Sequence, residues 1–207
     1  MTIEEILIKH FGWTEQDIHD KTERLKFVSK VNEETALEKI KFYHDEYGIS
    51  KNDLDKMIKR SVAMLSYSKE NIDEKAKYFE DNFGISYHDF IKMFKTAPSI
   101  ISCSKENLNE KISFYLNDFG FNGEEFTKII KRMPNIFNFS TDTMKEKVNY
   151  YLSKFDLTVP ELRKMSLLLP CMLAYSTDSV NEKVAFYQSE FDLTRDEFSA
   201  MVKRMPA

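Results

Sequence analysis

Residues 98–134 read PSIISCSKENLNEKISFYLNDFGFNGEEFTKIIKRMP, and this stretch decides the fold. It opens and closes on proline, which cannot continue a helix. Between Pro98 and Pro134 lie a short apolar tail (Ile100, Ile101), a serine able to cap a helix (Ser104), one helical stretch, a glycine (Gly120) and a second helical stretch. Ser104 precedes the first stretch, where its hydroxyl can accept from the free N–H groups of the opening turn. Gly120 supplies the left-handed residue that ends helix A without a Cβ penalty. The spacing therefore predicts a unit of helix A, tight corner, helix B, proline and a single tight turn of 3₁₀ type.

Stepping 36 residues in either direction reproduces the unit. A Glu-Lys pair recurs at Glu38-Lys39, Glu74-Lys75, Glu110-Lys111, Glu146-Lys147 and Glu182-Lys183. The corner residue recurs as Gly12, Gly48, Gly84, Gly120, Asp156 and Asp192, each followed by an apolar residue and then by Thr14, Ser50, Ser86, Asn122, Thr158 or Thr194. Three positions after each of these caps stands an acid: Asp17, Asp53, Asp89, Glu125, Glu161 or Glu197. A Ser/Thr/Asn-x-x-Asp/Glu box of this kind restarts a chain as a helix. Proline closes helix B at Pro98, Pro134, Pro170 and Pro206, with Lys26 and Val62 in the two earlier copies.

Five columns in register, with no insertion, mean stacked supersecondary units. The fold class expected is all-α, an α-solenoid of about 36-residue repeats: a partial first repeat to about 31, then 32–67, 68–103, 104–139, 140–175 and a truncated 176–207. These repeats are expected to form one domain over 1–207. Helix A of the second full copy spans roughly Asn71–Phe83, and Ile72, Ala76, Phe79 and Phe83 follow the rhythm of one helical face. Phe90, Met93 and Phe94 point inward from its helix B. Neither helix buries its apolar face alone, so neighbouring units must share a core. Aromatic residues, 14% of the chain, fall in columns such as Phe42-Tyr43, Tyr78-Phe79 and Phe186-Tyr187, and read as packing rather than as base-stacking platforms. The lysine of each Glu-Lys pair reads as a solvated or inter-repeat ion-pair residue.

With these residues in place, the unit resembles the repeat of the mitochondrial transcription termination factor (mTERF) family. The resemblance rests on Pro98-Ser99-Ile100-Ile101, Glu110-Lys111-Ile112-Ser113-Phe114-Tyr115, Phe119-Gly120 and Pro134. Tetratricopeptide and pentatricopeptide repeats have a similar length but lack the proline turn after the second helix. The resemblance implies a curved superhelix that binds double-stranded nucleic acid and serves transcription, its termination or ribosome assembly. The chain departs from the family in its net charge of −4, since members are typically basic, and in the two early copies without proline.

Net charge conceals a segregation. One helix B column reads Lys56, Lys92, Lys128, Lys164, Ala200; the next Lys59, Lys95, Lys131, Leu167, Lys203; the next Arg60, Thr96, Arg132, Leu168, Arg204. Positions three and four apart share a helix face, so eleven cations in fifteen places form a stripe. Two readings stand. Bases near helix C-termini complement the macrodipole, and a repeat copies that choice automatically. Alternatively the stripe is a phosphate track, with lysines supplying sequence-independent affinity and Arg60, Arg132 and Arg204 suited to bidentate or base-edge contact. The functions expected are a nucleic-acid-binding repeat protein, duplex DNA before RNA, or a scaffold holding a partner protein on its concave face. A monomer is expected.

Catalysis finds no foothold. His10, His19, His44 and His88 have no metal-ligand spacing, and no phosphate-cradling or nucleophile-elbow motif occurs. No enzyme activity, cofactor or metal is expected, and Cys103 and Cys171 read as buried thiols of a reducing compartment. No apolar run reaches the roughly 20 residues a membrane span needs. As the sequence stands a cytoplasmic location is expected, or an organellar one if a targeting segment has been removed.

Overall fold

Helix termini organise this chain, because each 36-residue unit must end two helices and a turn without stranding their free backbone groups. The computed structural model describes residues 2–28 and 31–204; Pro206 lies outside the described residues. The described chain is helical throughout, with no strand among the described residues, in keeping with an all-α repeat fold of the solenoid class. It divides into two compact units, Met1–Cys103 and Ser104–Ala207, and the division falls at a repeat boundary of the sequence.

The first unit holds α1 (Ile3–Phe11), α2 (Glu15–Leu25), α3 (Glu33–Tyr47), α4 (Lys51–Arg60), α5 (Lys69–Phe83) and α6 (Tyr87–Thr96). Odd-numbered helices are A helices and even-numbered ones B helices. The second unit holds α7 (Lys105–Ser113), α8 (Gly123–Arg132), α9 (Thr141–Lys154), α10 (Val159–Leu168), α11 (Thr177–Phe191) and α12 (Arg195–Arg204). Short 3₁₀ turns follow the B helices at Lys26–Val28, Val62–Ser66, Pro98–Ser102, Pro134–Asn138 and Pro170–Ala174.

Sequence dictates these boundaries through the caps. Ser68, Ser104, Ser140 and Ser176 each accept from the backbone N–H three residues on. At the B helices the acid answers the cap: Thr14 with Asp17, Asn122 with Glu125 and Thr158 with Glu161 form reciprocal boxes. Hydrogen bonds from Thr14 and Thr158 hold the Asp17 and Glu161 carboxyls below their ordinary range. At the corners Gly12, Gly48, Gly84 and Gly120 have positive φ, and so do Asp156 and Asp192, at 49° and 50°. Aspartate tolerates the left-handed region better than most residues, so the corner survives the loss of glycine.

The turn at Val62–Ser66 forms without proline. Val62, Met64 and Leu65 are buried there, as are Pro98, Ile100 and Ile101 in the next copy. Burial of the apolar tail, at about 1.5–3 kcal/mol per large side chain, fixes the turn whether or not a proline pre-sets its entry. Helix A packs on this turn through its central aromatic: the Tyr43 hydroxyl donates to the Met64 carbonyl at 2.5 Å, and Tyr151 to Met172 at 2.7 Å.

The lysine of the Glu-Lys pair differs from expectation. Lys75, Lys111 and Lys147 are buried, and each donates to a carbonyl at the end of its own repeat's turn: Cys103, Phe137 (2.5 Å) and Tyr175. Their stems cross apolar surface while the ammonium satisfies a helix-end acceptor. Burial pushes the Lys147 pKa below the ordinary lysine value. The neighbouring Glu38, Glu74, Glu110, Glu146 and Glu182 stay exposed.

In the third full copy the pattern slips. Residues Phe114–Asp118 form a π turn, with Phe119 N–H bonded to Phe114 at 2.9 Å. Tyr115 is 1% exposed, yet its hydroxyl has no hydrogen-bond partner among the described residues. Removing a bonded hydroxyl costs about 1 kcal/mol, whereas removing an unsatisfied buried one is neutral or favourable. Tyr43→Phe and Tyr151→Phe should therefore each lower the urea midpoint by an amount equivalent to about 1 kcal/mol. Tyr115→Phe should leave the midpoint unchanged or raise it.

Candidate nucleic-acid interface

The stripe cations all sit on B helices, whose inward faces are fixed by buried residues. In the first unit Leu54, Met57 and Ile58 of α4 and Phe90, Ile91, Met93 and Phe94 of α6 are buried. That leaves Lys56, Arg60 and Lys92 exposed and Lys59 and Lys95 half-buried. In the second unit Phe126, Ile129 and Ile130 of α8 and Leu162, Met165 and Ser166 of α10 turn inward. Lys128, Lys131, Arg132 and Lys164 are exposed there, as are Lys203 and Arg204 on α12.

Within each unit neighbouring B helices pack side by side, α4 against α6 and α8 against α10. The arginines make the joint. Arg60 Nη1 donates to the Lys95 and Thr96 carbonyls at 3.2 and 3.4 Å. Arg132 repeats the contact, Nη1 to Leu167 at 2.8 Å and Nη2 to Leu168 at 3.1 Å. The acceptors are the last carbonyls of α6 and α10, which no intrahelical donor reaches. A guanidinium there meets the negative end of the helix dipole and bonds two acceptors with one planar fork. Of the three arginines expected to read bases, Arg60 and Arg132 thus carry a helix-end contact, and Arg204 is exposed near the end of α12.

The lysines divide into two groups. Lys59 lies 3.8 Å from Asp17 and 3.4 Å from Asp55, with its ammonium 5.7 Å from the Trp13 ring. Lys92 pairs with Asp89 at 3.4 Å and Lys203 with Glu161 at 3.6 Å. Lys56, Lys128 and Lys164 are exposed and have no acidic partner within 4 Å among the described residues. Position separates the two readings of the stripe. Lys59, Lys95, Lys131 and Lys203 stand in the last turn of their helices, where the dipole rewards a cation. Lys56, Lys92, Lys128 and Lys164 are each the sixth residue of a ten-residue helix, one turn back from the end, where that reward has fallen away.

Two further cations escaped the sequence reading. Arg163 donates to the Gly120 carbonyl at 2.5 Å and lies 4.0 Å from Glu125, and Arg195 donates to the Ser153 carbonyl at 2.9 Å. Their columns hold unlike residues in other copies (Asp55, Ile91 and Thr127 for Arg163), so periodicity carries no signal for them. Cys103 and Cys171 are free and half-buried rather than buried. No metal-binding cluster occurs among the described residues, and no helix there is long and apolar enough to cross a membrane.

Among known families, the mTERF family model matches residues 5–162. No curated protein matches the chain.

The two groups of cations should respond differently to truncation. Arg132→Ala should cost roughly 0.5–1 kcal/mol in urea unfolding, in the range of a cation at a helix C-terminus. Arg132→Lys should recover only part of it, because a point charge does not span both carbonyls. Lys128→Ala should stay within about 0.5 kcal/mol of the parent protein, as for a surface position without partners.

Proposed function

The chain belongs to the mTERF family, and on that premise we propose that it binds duplex nucleic acid, DNA in preference to RNA, through phosphate contacts made by its B-helix lysines. The family is one of nucleic-acid-binding, transcription-related helical-repeat proteins. The observation that carries the finer reading is the mid-helix column of Lys56, Lys92, Lys128 and Lys164: exposed, in one register, and placed where helix electrostatics does not call for a base.

Such lysines, Lys56 and Lys92 in the first unit and Lys128 and Lys164 in the second, suit a polyanion despite the chain's net charge of −4. The repeating acids Glu38, Glu74, Glu110, Glu146 and Glu182 lie on A helices, away from the B-helix columns. Compact, strongly hydrated ammonium groups on flexible stems contact phosphates without reading bases. The same division of labour assigns Arg60 and Arg132 to positioning the helices that carry the lysines. Sequence-independent affinity of this kind releases counterions, so it weakens with salt.

Four lysine–phosphate contacts would give a slope of log K against log salt of about −3.6. Duplex binding should then weaken on the order of a hundredfold between about 50 and 200 mM salt. Fluorescence anisotropy with labelled duplex DNA, duplex RNA and single strands measures this directly. Lys92→Glu, Lys128→Glu and Lys164→Glu should each weaken binding of unrelated duplexes by a similar factor and flatten the slope, while Lys77→Glu on α5 should not. Absence of binding at low salt, or binding indifferent to all three reversals, would overturn the proposal.

A further inference from the structure

Between α9, α11 and α12 of the second unit lies a cavity of about 520 Å³, within the roughly 300–1,000 Å³ of sites that hold small molecules. One column of the repeat accounts for it. The residue there is Asp55, Ile91, Thr127 or Arg163 in other copies and Ser199 in α12. Asp55 accepts from the Trp13 indole at 2.7 Å and Arg163 donates to the Gly120 carbonyl at 2.5 Å, each reaching the corner of the preceding repeat. Ile91 fills the position with a buried aliphatic chain. Ser199 is too short to do either and lines open space instead.

The floor of the cavity is apolar, made of Phe155, Val184 and Phe198, all buried. Around it stand groups that can donate. Ser199 is 8% exposed, and its hydroxyl has no hydrogen-bond partner among the described residues. The buried Ser166 of α10, by contrast, returns its hydroxyl to the Leu162 carbonyl at 2.9 Å. A buried hydroxyl without a partner costs free energy and calls for an explanation. The half-buried Gln188 amide likewise meets no partner among the described residues. Lys154 and Arg195 are the two cations of the lining, which contains no carboxylate. Arg195 Nη2 is held on the Ser153 carbonyl at 2.9 Å. Neither cation has an acid within 4 Å among the described residues.

We infer that this cavity binds a small organic anion: a ring-sized apolar body on the Phe155–Val184–Phe198 floor, carrying a carboxylate or phosphate group that Lys154 and Arg195 neutralise. A guanidinium already placed by one carbonyl offers its remaining N–H groups to an anion at little entropic cost. Ser199 and Gln188 add neutral donors for the anion's oxygens. A neutral apolar molecule would cover the floor and leave these donors without acceptors. An inorganic anion would meet the cations and leave the floor wet. The B-helix lysines proposed to contact phosphates do not line the cavity, so its occupancy is independent of duplex binding.

The test titrates the isotopically labelled full chain with phenyl phosphate and with benzoate and follows the backbone amide resonances. Saturable shifts at Phe155, Gln188 and Ser199 are expected with at least one probe, in about the millimolar range. Inorganic phosphate, benzyl alcohol and benzylamine should each bind at least about fivefold more weakly. Arg195→Gln and Lys154→Gln should each weaken the better probe by at least about fivefold, while Lys145→Gln, exposed on α9 outside the cavity, should not. Ser199→Ile restores the bulk that Ile91 has in this column and should abolish binding, with circular dichroism to check the fold. The two glutamine variants alter groups with solvent access and decide the matter alone if the isoleucine variant does not fold. The inference is overturned by absence of saturable shifts below about 10 mM probe, by equal binding of benzyl alcohol or of inorganic phosphate, or by affinities indifferent to Arg195→Gln and Lys154→Gln. A preference between the two probes assigns the headgroup to phosphate or to carboxylate.

Discussion

The interaction on which this structure depends is the side-chain hydrogen bond to a helix terminus. A unit of 36 residues holding two helices and a turn has more chain ends than a long bundle of the same size, and each α-helix end leaves four backbone groups without intrahelical partners. Among the described residues the chain answers many of these ends with a dedicated residue. Hydroxyls and Asn122 cap the starts, left-handed residues close the A helices, buried lysines take the carbonyls after the turns, and arginines take the last carbonyls of neighbouring B helices. Packing follows from this, because the lysine and arginine contacts each join two elements as well as satisfying an acceptor.

Much of this was legible in the sequence because it is local. A serine before an apolar-periodic stretch, an acid three residues after a hydroxyl and a glycine between two helical patterns need only their neighbours to be understood. The lysine of the Glu-Lys pair is different. Its local signature is the same whether it points to water or folds back, and what decides the matter is a carbonyl 28 residues away. The arginines pose the same problem at a separation of 35 and 36 residues: a cation in the last turn looks like dipole complement or phosphate ligand until the neighbouring helix is in place. The π turn at Phe114–Asp118 has no sequence mark at all, since the repeat length is unchanged.

Capping also sorts the cations by chemistry. Where a base must reach two carbonyls at fixed geometry, the chain places arginine, as at Arg60 and Arg132; where nothing on the protein is in reach, it places lysine, as at Lys56, Lys128 and Lys164. A planar fork gains from two fixed acceptors and loses little entropy in meeting them. A flexible ammonium is better matched to phosphates whose positions vary along a duplex. The stripe read from sequence is therefore two surfaces laid over one another, one facing the next helix and one facing solvent.

Regularity itself carries little functional information in a repeat, because packing alone copies every useful residue at the same step. The informative positions are those where a column changes without a structural demand or persists without a structural partner. Leu167 and Leu168 replace the cations of two columns in α10, yet their carbonyls still receive Arg132, so the backbone contact is kept while the outward charge is dropped. Lys164 persists one turn earlier with no acidic partner within 4 Å among the described residues.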